Sequence, residues 1–129
     1  MRPQPLIAVR DVEASSRWYQ HLLDCQSAHG GREYERLTHN GDLVLQLHDW
    51  TAHDHPEFGD PAMLCRGNGV LLWFEIEEFD AAVARMRKLE PVILKGPAVN
   101  PRANQRECWL KDPDGYVVVL ASTYGDVGQ

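Results

Sequence analysis

The stretch HDWTAHDH, residues 48–55, carries three imidazoles, at His48, His53 and His55. Imidazole binds transition metals and titrates near neutral pH, so metal chemistry and proton transfer are the first readings to weigh. Glu107 could complete a ligand set with these histidines, or orient His48 as a base. The spacing HxxxxHxH matches no recognised metal-ligand pattern, however, and it crosses from a strand-like run into a polar connection. No nucleophile stands beside His48 and Glu107, and a lone His is more often a hydrogen-bonded structural residue than a catalyst.

A second group of residues offers binding without reaction. Trp50, Trp73 and Trp109 present indole faces on which flat aromatic or cationic groups stack, with Glu107 as a counter-charge. Gln4, Gln46 and His48 add polar groups to that inventory, and Glu75 a further carboxylate. The plainer alternative is that the indoles fill space and Glu75 points into water at a strand end. That alternative is strongest for Trp50, which borders the polar connection.

The elements that must position these residues follow from periodicity. PLIAV (5–9) is strand-like, and DVEASSRWYQHLL (11–23) places Val12, Ser15/Ser16, Tyr19, Leu22 and Leu23 on one helical stripe. Short strands are expected near 26–29 and 33–39. A strong one follows over 42–50, introduced by the Asn40-Gly41 turn. After the polar residues 51–68 the order restarts. A strand is expected over 70–76, a helix over 78–89, and strands over 91–96, 104–112 and 116–121. Shifting the chain onto itself aligns Val9 with Ile76, Asp11 with Glu78 and Ala14 with Ala81, so two βαβββ modules are the economical reading. Glu77, Glu78, Arg85, Arg87 and Lys88 suit the dipole of the second helix.

Alternation along the strands sorts the side chains into two faces. Leu43, Leu45 and Leu47 are expected to pack under a helix, with Val44, Gln46 and His48 on the opposite face. Likewise Leu72 and Phe74 oppose Leu71, Trp73 and Glu75, while Cys108 and Leu110 oppose Glu107, Trp109 and Lys111. The last strand, VVVLA, is apolar on both faces, so parity alone does not assign it. Before it, KDPDGY reads as a tight turn: Pro113 fixes φ, Asp114 can bond its own backbone and Gly115 accepts positive φ.

Two of these features carry a family resemblance: the N-terminal set Val9, Asp11, Ser16, Trp18 and Tyr19, and the DPDGY turn, Asp112 to Tyr116. With the paired element order, the chain resembles the vicinal oxygen chelate superfamily of glyoxalase I, bleomycin-resistance proteins and extradiol dioxygenases. The resemblance implies one α+β domain over 1–129, made of two βαβββ modules, 1–50 and 69–122, joined by the loop 51–68 into a half-open mixed sheet. It also implies a homodimer. In the superfamily's enzymes, side chains from the first and last strands of each module hold a divalent metal. By spacing, the resemblance carries those positions to Gln4, Gln46, Leu71 and Val119. Leu71 and Val119 have no donor atom, and two neutral amides fall far below what transition-metal sites use.

Composition excludes other classes. At 129 residues and 43% hydrophobic, the chain suits one soluble domain with a real core. A formal charge of −6 and the lack of any basic run argue against nucleic-acid binding. No run approaches the ~20 apolar residues of a membrane span, and the start MRPQPLIAVRD is not a signal peptide, so a cytoplasmic protein is expected. Cys25, Cys65 and Cys108 lack CxxC spacing and read as reduced thiols. The sequence therefore points to a metal-independent binder, without cofactor, of a small aromatic or cationic molecule. Its expected binding residues are Gln4, Gln46, His48, Trp73, Glu107 and Trp109. The competing expectation is a metal-dependent lyase or isomerase using His48, His53, His55 and Glu107.

Overall fold

Asp11 starts the first helix by chemistry that its side chain dictates. Its backbone is extended (φ −138°, ψ 97°), and its carboxylate accepts the Ala14 N–H at 3.0 Å, an N-cap. The helix α1 spans Val12–Leu23, buries Val12, Ser15, Ser16, Tyr19, Leu22 and Leu23 as the periodicity requires, and stops at Asp24 in the left-handed region (φ 53°). The computed structural model that shows this describes residues 1–53, 55–63 and 65–127. Strand β1 (Leu6–Val9) precedes the helix, and β2 (Gln26–Ser27), β3 (Tyr34–His39) and β4 (Asp42–Asp49) follow it. Asn40 and Gly41 both have positive φ, the two-residue hairpin turn that joins β3 to β4.

A short 3-10 turn over Pro56–Phe58 lies in the connection, and the order then repeats with β5 (Leu72–Glu75), α2 (Phe79–Lys88), β6 (Ile93–Asn100), β7 (Gln105–Lys111) and β8 (Val117–Ala121). The chain divides into two compact units, Met1–Met63 and Leu64–Gln129. Each holds a four-stranded mixed sheet and one helix, with strand order β1-β4-β3-β2 in the first and β5-β8-β7-β6 in the second. In both sheets the first pair is parallel and the remaining pairs are antiparallel. This is the α+β architecture that the element order implied.

Three of the boundaries that differ from the sequence expectation bear on the candidate site. Strand β1 begins at Leu6, so Gln4 lies before it. Val70 and Leu71 lie outside β5; the Val70 N–H bonds the Gly67 carbonyl at 2.7 Å in a turn instead of joining a ladder. Strand β6 runs to Asn100 and does not stop at Gly96, because the Gly96-Pro97 step is absorbed by irregular pairing with β7. As an edge strand, β6 tolerates a residue with no N–H.

Burial follows alternation. Leu37, Leu45 and Leu47 are fully buried in the first unit, and Cys108, Leu110 and Leu120 in the second. Strand β8, whose parity was undecided, is fully buried on both faces from Val118 to Ala121. The turn before it departs from expectation in one atom set. Asp112, and not Asp114, organises it: its Oδ1 accepts the N–H groups of Asp114 and Tyr116, both at 2.9 Å. Gly115 has φ 94°, where its lack of a Cβ is required. The three cysteines are free, with Cys25 and Cys108 buried and Cys65 exposed. Among the described residues no helix is long and apolar enough to cross a membrane.

Glu35 is a buried carboxylate that the sequence pattern did not single out. It is 2% exposed, on the α1 side of β3 in register with Leu47. Oε2 accepts the hydroxyls of Ser16 and Ser27, both at 2.7 Å, and Oε1 accepts the N–H groups of Gly30 at 2.8 Å, Arg36 at 2.9 Å and His29 at 3.2 Å. Burial alone would raise this carboxyl, but the bonds from Ser27, Gly30, Ser16 and Arg36 outweigh it and hold it below the usual carboxylate range. A lowered pKa stabilises the fold above the unfolded value of about 4.3, and that contribution disappears as pH falls through the folded-state value. Glu35→Ala is expected to cost about 1–3 kcal/mol in urea unfolding at pH 7, because it strands the buried Ser16 hydroxyl and removes the acceptor of four part-buried donors. The cost should shrink below pH 4; an unchanged midpoint at pH 7 would contradict this role.

Candidate ligand-binding faces

In the first unit, register places Leu6, Gln46 and Arg36 in one cross-strand row and Ala8, His48 and Tyr34 in the next. The Tyr34 hydroxyl donates to Gln46 Oε1 in a short hydrogen bond, and Gln46 Nε2 donates to the Gln4 carbonyl at 3.0 Å. Arg36 Nη1 approaches the same hydroxyl at 3.4 Å. Gln46 is therefore held at both ends of its amide. Gln4 contributes its backbone oxygen, and its residue is exposed. The Gln46 side chain thus meets the backbone of Gln4 and not its amide group.

His48 is 6% exposed, and its Nδ1 lies 2.7 Å from the Asp49 carbonyl. A carbonyl only accepts, so Nδ1 carries the proton. The ring packs against His55 at 5.0 Å, Phe58 at 5.2 Å and His53 at 5.5 Å between centroids. His53 Nε2 lies 3.2 Å from Glu33, an exposed pair. Asp49 anchors the start of this connection, its Oδ1 accepting from the Thr51 N–H, the Thr51 hydroxyl and the Ala52 N–H. The Thr51 bonds hold the Asp49 carboxyl below its ordinary value. The three histidines thus come together as expected, but edge to face. Among the described residues no group of three or more His, Cys, Asp or Glu is arranged to hold a metal ion. Trp50 packs edge-on against Phe58, with centroids 6.2 Å apart.

In the second unit, one row crosses all four strands: Lys95, Trp109, Val119, Trp73. The next row is Ala98, Glu107, Ala121, Glu75. Trp73, Glu75, Glu107 and Trp109 therefore share the face that alternation assigned them. The two indoles meet edge to face, 6.2 Å apart at 82°. Trp109 Nε1 donates to Glu107 Oε1 at 3.0 Å, and Asn100 Nδ2 donates to Glu107 Oε2 at 2.8 Å. Glu107 is 7% exposed, so it acts as an internal clamp on Trp109. Glu75 accepts the Tyr124 N–H at 3.1 Å and serves the tail of the chain.

Sequence reasoning did not find Lys95, whose ammonium lies 3.8 Å above the Trp109 ring. The Gly-Pro pair that follows Lys95 looked like the end of a strand, which hid it. Asn100 ends β6 and is bonded to Glu107.

The comparisons agree with this geometry at the level of family and fold. The model of the Glyoxalase/Bleomycin resistance protein/Dioxygenase superfamily matches residues 3–120, and the chain belongs to that superfamily. No curated protein matches the sequence. Among solved structures, a family enzyme from Burkholderia phytofirmans PsJN superposes with TM-score 0.74 at 18% identity, covering 92% of this chain and 95% of that one. A glyoxalase-related enzyme from Fulvimarina pelagi gives TM-score 0.74 at 17% identity, covering 95% and 88%. The fosfomycin resistance protein FosX from Mesorhizobium loti gives 0.68 at 16%, covering 95% and 91%.

The metal that the superfamily implies does not fit the residues at its usual positions. Val119 pairs with Trp73 as Gln46 pairs with Leu6, so these are equivalent places in the two sheets. Val119 is a fully buried aliphatic, Leu71 has no donor, and the Gln46 amide already has partners at both ends. Replacing Glu107 with Ala is expected to destabilise the protein by about 1–3 kcal/mol in urea unfolding, since it removes the acceptor of the Trp109 and Asn100 donors. Unaltered stability together with unaltered Trp emission would show that the clamp is not made.

Proposed function

We propose that the protein is a metal-independent binder of a small aromatic organic molecule, held against the Trp73 and Trp109 indoles of the second sheet. The observation that carries this reading is the exposure of Trp73. It is 43% exposed in a strand whose alternate residue Leu72 is only 7% exposed, so an indole is presented to solvent on a rigid support. Trp109 beside it is fixed by the Glu107 clamp, which removes much of the entropy cost of ordering a binding surface. The loss of donors at Leu71 and Val119 supports a site that works by shape and π-surface.

Of the aromatic and cationic ligands that composition suggested, the aromatic class is the better supported. Glu107 is 7% exposed with both oxygens accepting hydrogen bonds, so its carboxylate is not presented to solvent as a direct contact for a cationic group. The lyase or isomerase alternative lacks support of this kind: the rings of His48, His53 and His55 meet edge to face or tilted, and among the described residues no group of three or more His, Cys, Asp or Glu is arranged to hold a metal ion.

A two-ring aromatic of about a dozen heavy atoms at ~0.5 kcal/mol per atom would bind on the order of 10–100 µM. Calorimetric titration with naphthalene-2-carboxamide is expected to give saturable binding in that range, unchanged by a chelator. Trp73→Ala, at an exposed position, should weaken it at least tenfold, and Trp109→Ala more. Absence of saturable binding, or binding abolished by the chelator, would refute the reading.

A further inference from the structure

Resting on that reading, we propose that the aromatic ligand carries an anionic group, of the carboxylate or sulfonate class, and that Lys95 receives it. The Lys95 ammonium stands over the Trp109 ring at 3.8 Å, at the far end of the row that leads to the exposed Trp73. A cationic ligand seeking the same indole face would have to displace it. An anionic one meets it directly. An ammonium over a ring keeps unused N–H donors, and among the described residues Lys95 makes no ion pair.

The surroundings tilt the same way. Lys111, in register with Val117, follows Trp109 on the same face of β7 and is exposed, adding a second positive charge beside that indole. The two carboxylates on this face are Glu107, buried with both oxygens accepting, and Glu75, which accepts the Tyr124 N–H. The chain's formal charge is −6, so an anion gains nothing from the protein as a whole and must be drawn by local charge.

The position of Lys95 is built into the backbone. Pairing of β6 with β7 shifts register on both sides of Lys95, which aims its side chain at Trp109. Gly96 permits the irregularity: it has φ 81°, and a Cβ there would lie 2.3 Å from the Glu107 carbonyl oxygen. The chain approach that Gly96 allows therefore joins Lys95 to the residue that clamps Trp109. Four strands at ~4.8 Å spacing put the Lys95 and Trp73 backbones about 14 Å apart, with Trp109 and Val119 between them in the row.

Three isosteric probes separate charge from ring: naphthalene-2-carboxylate, naphthalene-2-carboxamide and naphthalen-2-ylmethylammonium. Calorimetry on the full chain at low salt is expected to rank the carboxylate at least fivefold tighter than the amide, with the ammonium weakest. Lys95→Met should erase the carboxylate's advantage over the amide, and Lys95→Arg should keep most of it. Raising salt should narrow the gap. Equal affinity for amide and carboxylate, the ammonium binding tightest, or a preference that survives Lys95→Met would overturn the anion assignment and leave the aromatic binder standing. No binding of any probe would overturn both.

Discussion

Val119 lies between two indoles, and the second unit is organised around that placement. Parallel pairing with β5 sets it beside Trp73, and antiparallel pairing with β7 sets it beside Trp109. Two interstrand steps, about 9.5 Å, separate the tryptophan backbones, which lets the rings meet above an aliphatic residue that is itself fully buried. A carboxylate at that point would be flanked by aromatic edges and an aliphatic floor; a valine removes its desolvation cost and leaves a surface suited to flat apolar groups. The clamp by Glu107, the exposed Trp73 and the Lys95 ammonium over Trp109 all lie in the same or the adjacent cross-strand row as this valine.

The equivalent place in the first unit took a different course. Gln46 stands to Leu6 as Val119 stands to Trp73, but its amide is bound by Tyr34 and by the Gln4 backbone. That sheet then satisfies its polar groups internally. Below it, the buried Glu35 ties α1, β2 and the turn at Gly30 to β3 through five donors. One unit has polar groups that hold its own parts together; the other has aromatic groups that remain partly unpaired. The same element order supports both, as expected where fold and function are separable.

Much of this was legible in the sequence because strand alternation and helix periodicity are local rules. The stripe Val12, Ser15/Ser16, Tyr19, Leu22 and Leu23, and the shared face of Trp73, Glu75, Glu107 and Trp109, follow from counting. What escaped depends on contacts between distant residues or on irregular backbone. Glu35 shares parity with the buried Leu37, but a charged residue on that face looks wrong until Ser16 and Ser27 are seen to meet it. Ser16 on an otherwise apolar stripe was the available hint. Lys95 was hidden because Gly96-Pro97 reads as a stop, whereas an edge strand carries it through as an irregularity. The Asp112 turn shows the smallest version of the problem: the motif was recognised, but the carboxylate that bonds the backbone lies two residues earlier than the one chosen.

The central claim is that the Trp73–Trp109 face of the second sheet, in place of a metal centre, is where this protein meets its ligand. The most direct measurement is a heteronuclear NMR spectrum of the four indole N–H groups, assigned by Trp→Phe variants, during titration with naphthalene-2-carboxylate. The account predicts saturable shifts at Trp73 and Trp109 with Trp18 unmoved. Shifts confined to Trp50 or Trp18, or a spectrum that responds only after a divalent metal is added, would contradict it.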